Sequence, residues 1–438
     1  MRVRRTVPPL LACVLLAAGC SGSPAPAAVE SSPSAAGTSA GRAASTGTWT
    51  TPVHVPDGLG AAPFDRPRTL TVPAPWKASV YARVPTARFL LALPDGGLLV
   101  SQPSQNRVVR VPAGGGPPVE FAGGLDRPHD MVLAAVGGKR WLYVSAADEV
   151  VRYPYTDGAA RAGEPQAVVE GLPDESLPEL GGRYGHVLKN IAVAGDSLYV
   201  SIASTCNACA SDTRSDPVRG AIYRYDASGH NAGRALVARG IRNAEGLAFA
   251  PGTDQLWAVV NNRDDILLPS GPHRGERVTS YVDDHPPEAF IAVKQGGFYG
   301  WPFCHPNPDN GWRNMPYDRD YELNPDGSAA DCSRATPVDV GIQAHSAPLG
   351  LTFVPGLGAV VALHGSWNRS RPTGYKVIHF PWQGGGPGEH RDLASGWLDE
   401  STGKFWGRPV DVAIDNAGSL LVSDDGSDAV IRLTPPGR

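Results

Sequence analysis

The sequence has little of several features, and each shortage excludes a class of protein. Beyond the N-terminal twenty residues there is no long apolar run and no sustained 3.6-residue apolar period, which excludes a helical bundle. Beyond the first five residues basic side chains form no run, and the net charge is −4, so the concentrated positive surface that nucleic acid demands is missing. No Cys-x-x-Cys-His motif occurs, which excludes an attached c-type haem.

Residues 1–20 have the order of an export signal. Arginines at positions 2, 4 and 5 precede an apolar run from Pro8 to Ala18, which is too short to span a bilayer as a mature helix. The run ends in the residues LAAGC at 16–20, which resemble a bacterial lipobox, so we expect cleavage to leave Cys20 as a lipid-bearing N-terminus. A cleaved signal without lipid is the alternative. Both place the protein outside the cytoplasm, and the first anchors it to the cell membrane.

Residues 21–50 consist almost entirely of Ser, Ala, Pro, Gly and Thr. Such a composition buries too little apolar surface to offset the entropy of ordering, so it predicts a disordered tether. The remaining residues, 51–438, are rich in turns, since the chain has 52 Gly and 42 Pro. We therefore predict one all-β domain there, because closed β architectures hold this much chain in a single unit.

Four cysteines follow the signal: Cys206, Cys209, Cys304 and Cys332. An even number in an exported chain indicates disulfides. Three pairings are possible, and we expect Cys206 with Cys209 and Cys304 with Cys332. A metal site on the Cys206 pair is the weaker hypothesis, because no second Cys or His pair follows at zinc spacing.

A repeated unit organises the predicted domain. Each unit is an alternating apolar stretch, a turn, and a second apolar stretch ending in a form of Leu-Xaa-Val-Ser, and six occur, at residues 98–101, 142–145, 198–201, 256–259, 360–363 and 420–423. Meandering strands at this period predict a six-bladed β-propeller, and a two-sheet sandwich fits six repeats less well. The long gap between the fourth and fifth units predicts an inserted loop region between blades four and five.

The residues that precede the first strand of each unit share one end of the predicted channel. Cations, imidazoles and an amide recur there, and together they predict a ligand site at one mouth, because such groups repel unless a ligand lies among them. They are His129, His186, Arg242 with Asn243, His345 and Arg408.

At these residues the chain resembles the sorbosone dehydrogenase group of the sugar dehydrogenases that use pyrroloquinoline quinone (PQQ). The similarity runs from about Arg88 to the C-terminus. Its most specific stretches are STCNAC at 204–209, GGFYGWPFC at 296–304, HSAPLG at 345–350, HGSWNR at 364–369 and WGRPVD at 406–411.

The resemblance implies oxidation of an aldose or aldehyde, with hydride passing to PQQ and the electrons to a separate acceptor. It implies that His186 is the catalytic base and that Arg242 stabilises the oxyanion. Asn243, Arg369 and Arg408 would hold the cofactor, with His129 and His345 beside it. A calcium ion on the quinone is also implied, and Asp264 and Asp265 are weak candidate ligands.

Several positions depart from the family pattern. Val410 stands where a second cofactor-binding arginine is expected, while Lys189, Glu245 and Ala289 replace other expected residues. Glu245 and Ala289 put PQQ binding in question. Two alternatives therefore remain: a non-catalytic propeller that binds a glycan or protein, and a calcium-dependent lactonase-type hydrolase, which would need carboxylates and amides converging on the channel.

Overall fold

A computed structural model describes residues 47–230 and 233–437 of the chain. The predicted signal peptide, Cys20 and the predicted tether as far as residue 46 lie outside the described residues. The first strand begins at Thr48, within the last residues predicted as tether, and pairs along its length with Thr69–Pro73. In the described part of the chain no helix has the length and apolar character needed to cross a membrane.

Six small sheets form a six-bladed β-propeller, as the repeat predicts. The first five blades, each given from its inner to its outer strand, are as follows. Blade one is Leu90–Ala92, Leu98–Gln102, Arg107–Val111 and Val119–Gly123; blade two is Met131–Val136, Lys139–Ser145, Val150–Pro154 and Gln166–Val169; blade three is Ile191–Ala194, Ser197–Ile202, Ala221–Asp226 and Ala235–Arg239; blade four is Asn243–Phe249, Leu256–Asn261, Glu288–Ala292 and Val340–Ile342; blade five is Pro348–Val354, Gly358–Leu363, Lys376–Phe380 and Arg391–Ala394.

Blade six joins the two ends of the folded chain. Its three inner strands, Pro409–Ile414, Leu420–Asp424 and Ala429–Thr434, come from the C-terminal end, and its fourth is Lys77–Arg83 from the N-terminal end. Thr48–His54 adds to that strand in parallel, and Thr69–Pro73 follows it. The six inner strands contact one another in sequence around the axis, so the ring is closed.

The predicted insertion is present, and the structure locates it more finely. It lies inside blade four, between the third strand Glu288–Ala292 and the fourth strand Val340–Ile342. It contains Gly297–Phe298, which extends blade three in parallel, and the hairpin of Cys304–Pro306 with Tyr317–Arg319. The predicted Cys304–Cys332 disulfide closes it.

Besides the hairpin of the insertion, the elements of residues 47–230 and 233–437 that lie outside the blades are few. They are two short hairpins, Trp382–Gln383 with Gly386–Pro387 and Leu398–Asp399 with Lys404–Phe405, the helix α1 (Thr279–Asp284), and 3₁₀ turns at Pro103–Gln105, Pro178–Leu180, Ala210–Arg214 and Cys332–Arg334.

Four of the six repeats end in a serine, at 101, 145, 201 and 423, whose hydroxyl accepts an N–H near the start of the inner strand of its own blade; Ser145 and Ser423 also bond the chain entering the next blade. Ser145 Oγ accepts the N–H of Asp130 at 2.9 Å and donates to the carbonyl of Lys189 in the chain entering blade three at 2.7 Å. Ser423 does the same between blades six and one, with Asp411 N at 3.0 Å and Arg88 O at 2.5 Å. A small hydroxyl both accepts and donates, which explains why serine recurs at this point.

We predict that Ser145→Ala lowers the free energy of unfolding by about 1–3 kcal/mol, because it leaves the buried Asp130 N–H without its acceptor. Urea unfolding followed by tryptophan fluorescence measures the change. Ser104→Ala, which removes an exposed hydroxyl, is the control and should unfold at the wild-type midpoint. Equal midpoints for the two variants would show that the Ser145 hydroxyl does not stabilise the fold.

Candidate functional site

The residues preceding the inner strands of blades three, four and five line one cavity at a mouth of the propeller. Its volume is about 330 Å³, which is within the range of small-molecule sites. The lining residues are His186, Arg242, Asn243, Asn261, Asn262, Asp264, Glu288, His345, Ala347, Leu349, Gly365 and Trp367. The structure thus brings together four of the seven predicted catalytic and cofactor residues: His186, Arg242, Asn243 and His345.

His186 is held as a neutral base. Its Nδ1 lies 2.9 Å from the carbonyl of Ser204 and 3.0 Å from Ser204 Oγ, whose proton goes to the carbonyl of Cys206. Nδ1 therefore carries the proton, and Nε2 keeps its lone pair. Burial, with help from the charge of Arg242, lowers the pKa of His186 to about 4, so the ring is unprotonated at neutral pH.

Arg242, Asp264 and His345 form a chain of charges across the cavity. Arg242 Nη2 is 3.0 Å from Asp264 Oδ2, and Asp264 Oδ1 is 3.2 Å from Nδ1 of His345. The other ring nitrogen of His345 donates to the carbonyl of Val282 at 2.7 Å. Burial opposes charge on His345, but the hydrogen bond with Asp264 and the charge of Glu288 outweigh it and raise the pKa. Because its two ring nitrogens face the Asp264 carboxylate and the Val282 carbonyl, both act as donors, and the site holds two cations around one carboxylate.

The loop that carries His345 has an unusual backbone. His345 has φ of 60° and Ala347 has φ of 53°, a region that costs energy for residues other than glycine. The surrounding bonds hold it there, since the carbonyls of Ser346 and Ala347 accept from the N–H groups of Gly365 and His364. Such strain is typical of functional sites and fixes the direction of the imidazole.

Glu288 is the second acid of the cavity. Its Oε2 accepts the N–H of Asn262 at 2.6 Å. Burial raises the pKa of its carboxyl to about 7, so its charge near neutral pH depends on what occupies the site.

A family model described as TrAA12-like matches residues 127–435, which include every cavity residue. The chain belongs to the TrAA12-like family. The predicted membership in the PQQ-dependent sugar dehydrogenases is thereby confirmed at the level of the family.

The relatives of this TrAA12-like chain include a pyranose dehydrogenase from Coprinopsis cinerea named as PQQ-dependent, 31% identical over 147 residues, which cover 31% of this chain and 19% of that protein. The chain spans about half or less of the curated relatives it matches. The holo PQQ domain of the Coprinopsis enzyme has the same fold, with a TM-score of 0.69 at 19% identity over 84% of this chain and 97% of that one. A calcium structure of a Trichoderma reesei family AA12 enzyme gives 0.69 at 21% identity over 83% and 96%.

The departure at Glu245 is explained by its contact with the predicted residue His129 in this TrAA12-like structure. Glu245 Oε2 lies 3.4 Å from His129 Nε2, and Glu245 Oε1 accepts from the Asn243 amide at 2.9 Å. Burial opposes ionisation of Glu245, but His129, Arg88 and Asn243 outweigh it and hold its pKa well below the usual range. Neither side chain lines the cavity. The His129 ring is fully buried and lies 4.3 Å from that of Phe89.

The other three departures also have places in the fold. Lys189 is fully buried and donates through Nζ to the carbonyl of Pro173 at 2.9 Å. Val410 is fully buried and packs with Phe89 and with Leu349, which lines the cavity. Ala289 is buried in the core between blades three and four. All three positions are therefore accounted for without reference to a ligand.

The two predicted cofactor arginines are placed differently. Arg408 donates through Nε to the carbonyl of His364, beside the cavity residue Gly365, and its two terminal nitrogens have no hydrogen-bond partner among the described residues. Arg369 does not line the cavity. Its guanidinium bonds the carbonyls of Asp283 in α1 and of Ala344, so it ties the helix to the His345 loop.

Arg88 is a residue that the sequence reasoning missed. It precedes the inner strand of blade one, at the same repeat position as the predicted residues, and this was the available signal. Its Nη1 contacts Asp425 at 2.9 Å, and Asp425 contacts His364 at 2.8 Å. Arg88 therefore supplies a sixth basic group to the ring of residues at this mouth.

The candidate calcium ligands are already engaged. Both oxygens of Asp264 contact cations, and Asp265 pairs with Arg277 at 2.9 Å. Within residues 47–230 and 233–437 no group of three His, Cys, Asp or Glu side chains is arranged to hold a metal. Side chains alone do not form a calcium cage here.

We predict that His186 titrates with a pKa of about 4, measured by NMR of its ring in the ligand-free protein. Between that pH and the ordinary value of 6.5 the unfolded chain binds one more proton, so the free energy of unfolding rises with pH through this window. His186→Gln should remove this part of the slope. A pKa near 6.5 in the folded protein would contradict the buried, arginine-flanked geometry.

Proposed function

We propose that the protein oxidises an aldose or aldehyde, with PQQ as the hydride acceptor. The observation that carries the proposal is the pairing of a neutral imidazole with a free Nε2 and a buried guanidinium on one cavity. A base that is unprotonated at neutral pH and a fixed cation are what proton removal and oxyanion stabilisation require. The PQQ-dependent relative supports the choice of cofactor.

The donor set fits a flat polyanion. Arg408 is half-buried at the rim and has two unengaged terminal nitrogens, and guanidinium forks bind carboxylates in two-point fashion. Trp367 lines the same cavity with 72% of its surface exposed, and so offers an aromatic face for stacking. Arg88 is linked to this part of the site, because it contacts Asp425 and Asp425 contacts His364. PQQ would thus be held by Arg408, Arg242, Asn243 and Trp367.

PQQ, when bound, supplies a two-electron acceptor for the substrate hydride. His186 Nε2 would take the proton of the hydroxyl on the carbon that loses hydride, in an aldose or in the hydrate of an aldehyde, and Ser204 holds the ring by accepting from Nδ1–H. Arg242 faces the developing negative charge, and Asp264 holds its guanidinium in place. The resulting imidazolium is acidic because burial and Arg242 disfavour its charge, so its proton leaves readily after turnover.

The side chains of the site give less support for calcium than for PQQ. The Trichoderma reesei relative is a calcium structure, but the side chains here form no calcium cage. An ion would depend on backbone carbonyls and cofactor oxygens, so no step is assigned to it. The lactonase alternative requires carboxylates and amides that converge to hold calcium. Asp264 and Glu288 do line the cavity with three asparagines, but Asp264 is engaged by Arg242 and His345, and this makes the hydrolase the less favoured function.

The proposal extends to the substrate, the electron acceptor and the location of the protein. The Ala203-Ser204-Thr205 turn beside His186 agrees with the sorbosone branch, so sorbosone-like aldehydes are better candidates than glucose. A separate electron acceptor is required, because no haem motif is present. We further propose that the protein works outside the cytoplasm, attached to the membrane through lipid on Cys20.

The test is titration of the purified protein with PQQ in the presence of calcium, followed by dye reduction with aldoses and aldehydes. We expect binding with turnover, and a loss of about 10²–10⁴-fold in kcat for His186→Ala with PQQ affinity retained.

His230→Ala, which removes an exposed imidazole of the described chain, is the control and should keep wild-type turnover. Absence of PQQ binding in the wild type would overturn the proposal and favour a propeller that only binds a glycan or protein.

A further inference from the structure

The loop of residues 204–209 contacts the candidate base. Ser204 accepts from His186 Nδ1 through its carbonyl, and its hydroxyl donates to the carbonyl of Cys206 at 2.9 Å. The following residue, Thr205, is bound through its N–H and hydroxyl to the buried Asp212. The position of the imidazole therefore depends on how this loop is held.

Asn207, inside the Cys206–Cys209 ring, contacts the rest of the site. Its carbonyl accepts from Arg242 Nε at 3.3 Å and from the indole N–H of Trp301 at 3.0 Å. Its side chain pairs with the Asp264 peptide in both directions, donating to the carbonyl and accepting the N–H, each at 2.8 Å. One residue thus orients the guanidinium and the backbone of the carboxylate that pairs with it.

The loop has no ladder of its own to hold this geometry. The chain between Ile202 and Ala210 belongs to no strand or helix. At one end its backbone is fixed by the side-chain bonds and by two backbone bonds, from Ser204 N–H to the Arg242 carbonyl at 2.8 Å and from Gly185 N–H to the Thr205 carbonyl at 2.7 Å. At the other end the disulfide joins Cys206 to Cys209, with their Cα atoms 5.5 Å apart. The disulfide restricts the conformations open to Asn207. Among the described residues, this loop is the only segment whose own carbonyls bond both His186 and Arg242.

We propose that the Cys206–Cys209 disulfide and Asn207 are positioning groups for the proposed reaction. They hold Arg242 and Asp264 in register with His186, and the inference rests on the proposed function. Displacement of catalytic groups by about 1 Å can cost on the order of 10²-fold in rate. Reduction of the disulfide is therefore expected to lower kcat while the blades stay folded.

The two disulfides differ in accessibility. Cys206 and Cys209 are half-buried, whereas Cys304 and Cys332 are buried, with relative exposures of 1% and 9%. A mild reductant should open the first before the second. The Cys304–Cys332 bond is thus the natural control within the same chain.

The experiment compares Cys206→Ser/Cys209→Ser, Asn207→Ala and the control Cys304→Ser/Cys332→Ser. The first readout needs no cofactor: hydrogen exchange of the Asp264 amide, which bonds Asn207 Oδ1, in the ligand-free protein. We expect exchange to accelerate at least about tenfold in the first two variants and to stay unchanged in the control. The second readout is kcat against KM, with kcat lower by at least about tenfold and PQQ affinity retained.

The outcomes separate the two proposals. If the wild type binds no PQQ, the proposed function fails, and the exchange data still show whether the loop holds Asp264. If the wild type is active and Asn207→Ala keeps both slow exchange and full kcat, the positioning role is overturned. Asn207→Ala retains both disulfides, so the test stands even where the double variant does not fold.

Discussion

The close contact of the six inner strands around one axis is the constraint on which the rest of the structure depends. A Cβ on Gly246 would lie 2.6 Å from the Leu349 carbonyl oxygen, and one on Gly350 would lie 2.0 Å from Asp411 Oδ1. Asp411 and Asp130 also accept backbone N–H groups from the next blade, both at 2.9 Å. Because the inner strands are fixed at this spacing, the residues that precede them lie close together at one mouth of the channel.

Charges that meet in so small a space have to be balanced within the protein. The structure does this with two groups of contacts. In the cavity, Asp264 lies between Arg242 and His345, and the Asn243 amide, which also lines the cavity, donates to Glu245, which contacts the buried His129. An anionic or oxyanion-forming ligand would therefore meet cations that are oriented but not fully neutralised.

The repeat was readable in the sequence because each unit pairs apolar strands around a turn, and in four of the six units the closing serine bonds the same blade. The blades followed from the repeat, whereas cysteine counting indicated disulfides but left three pairings open, of which the structure has the expected one. What sequence spacing could not predict is where long side chains point. Arg369 occupies a family position, but its guanidinium bonds the carbonyl of Asp283 in α1. His129 has the right spacing, but its side chain is fully buried and does not line the cavity.

Short strands hid the remaining features. The inner strand of blade one has only three residues, so Arg88 was not recognised as its leading residue. The fourth strand of blade four is equally short and follows a long insertion, which is why the insertion was placed between blades rather than inside one. Neither strand is long enough to display an alternating pattern.

The pairing of Lys77–Arg83 with Ala429–Thr434 has a consequence for the order in which the molecule is made. Lys77–Arg83 is made more than three hundred residues before its partner Ala429–Thr434. Five blades can therefore form while the edge of Lys77–Arg83 that belongs to blade six is still unpaired. Open edges pair readily with other chains. The newly made protein is therefore most exposed to misassembly just before its final strands arrive, and closing the ring removes that edge.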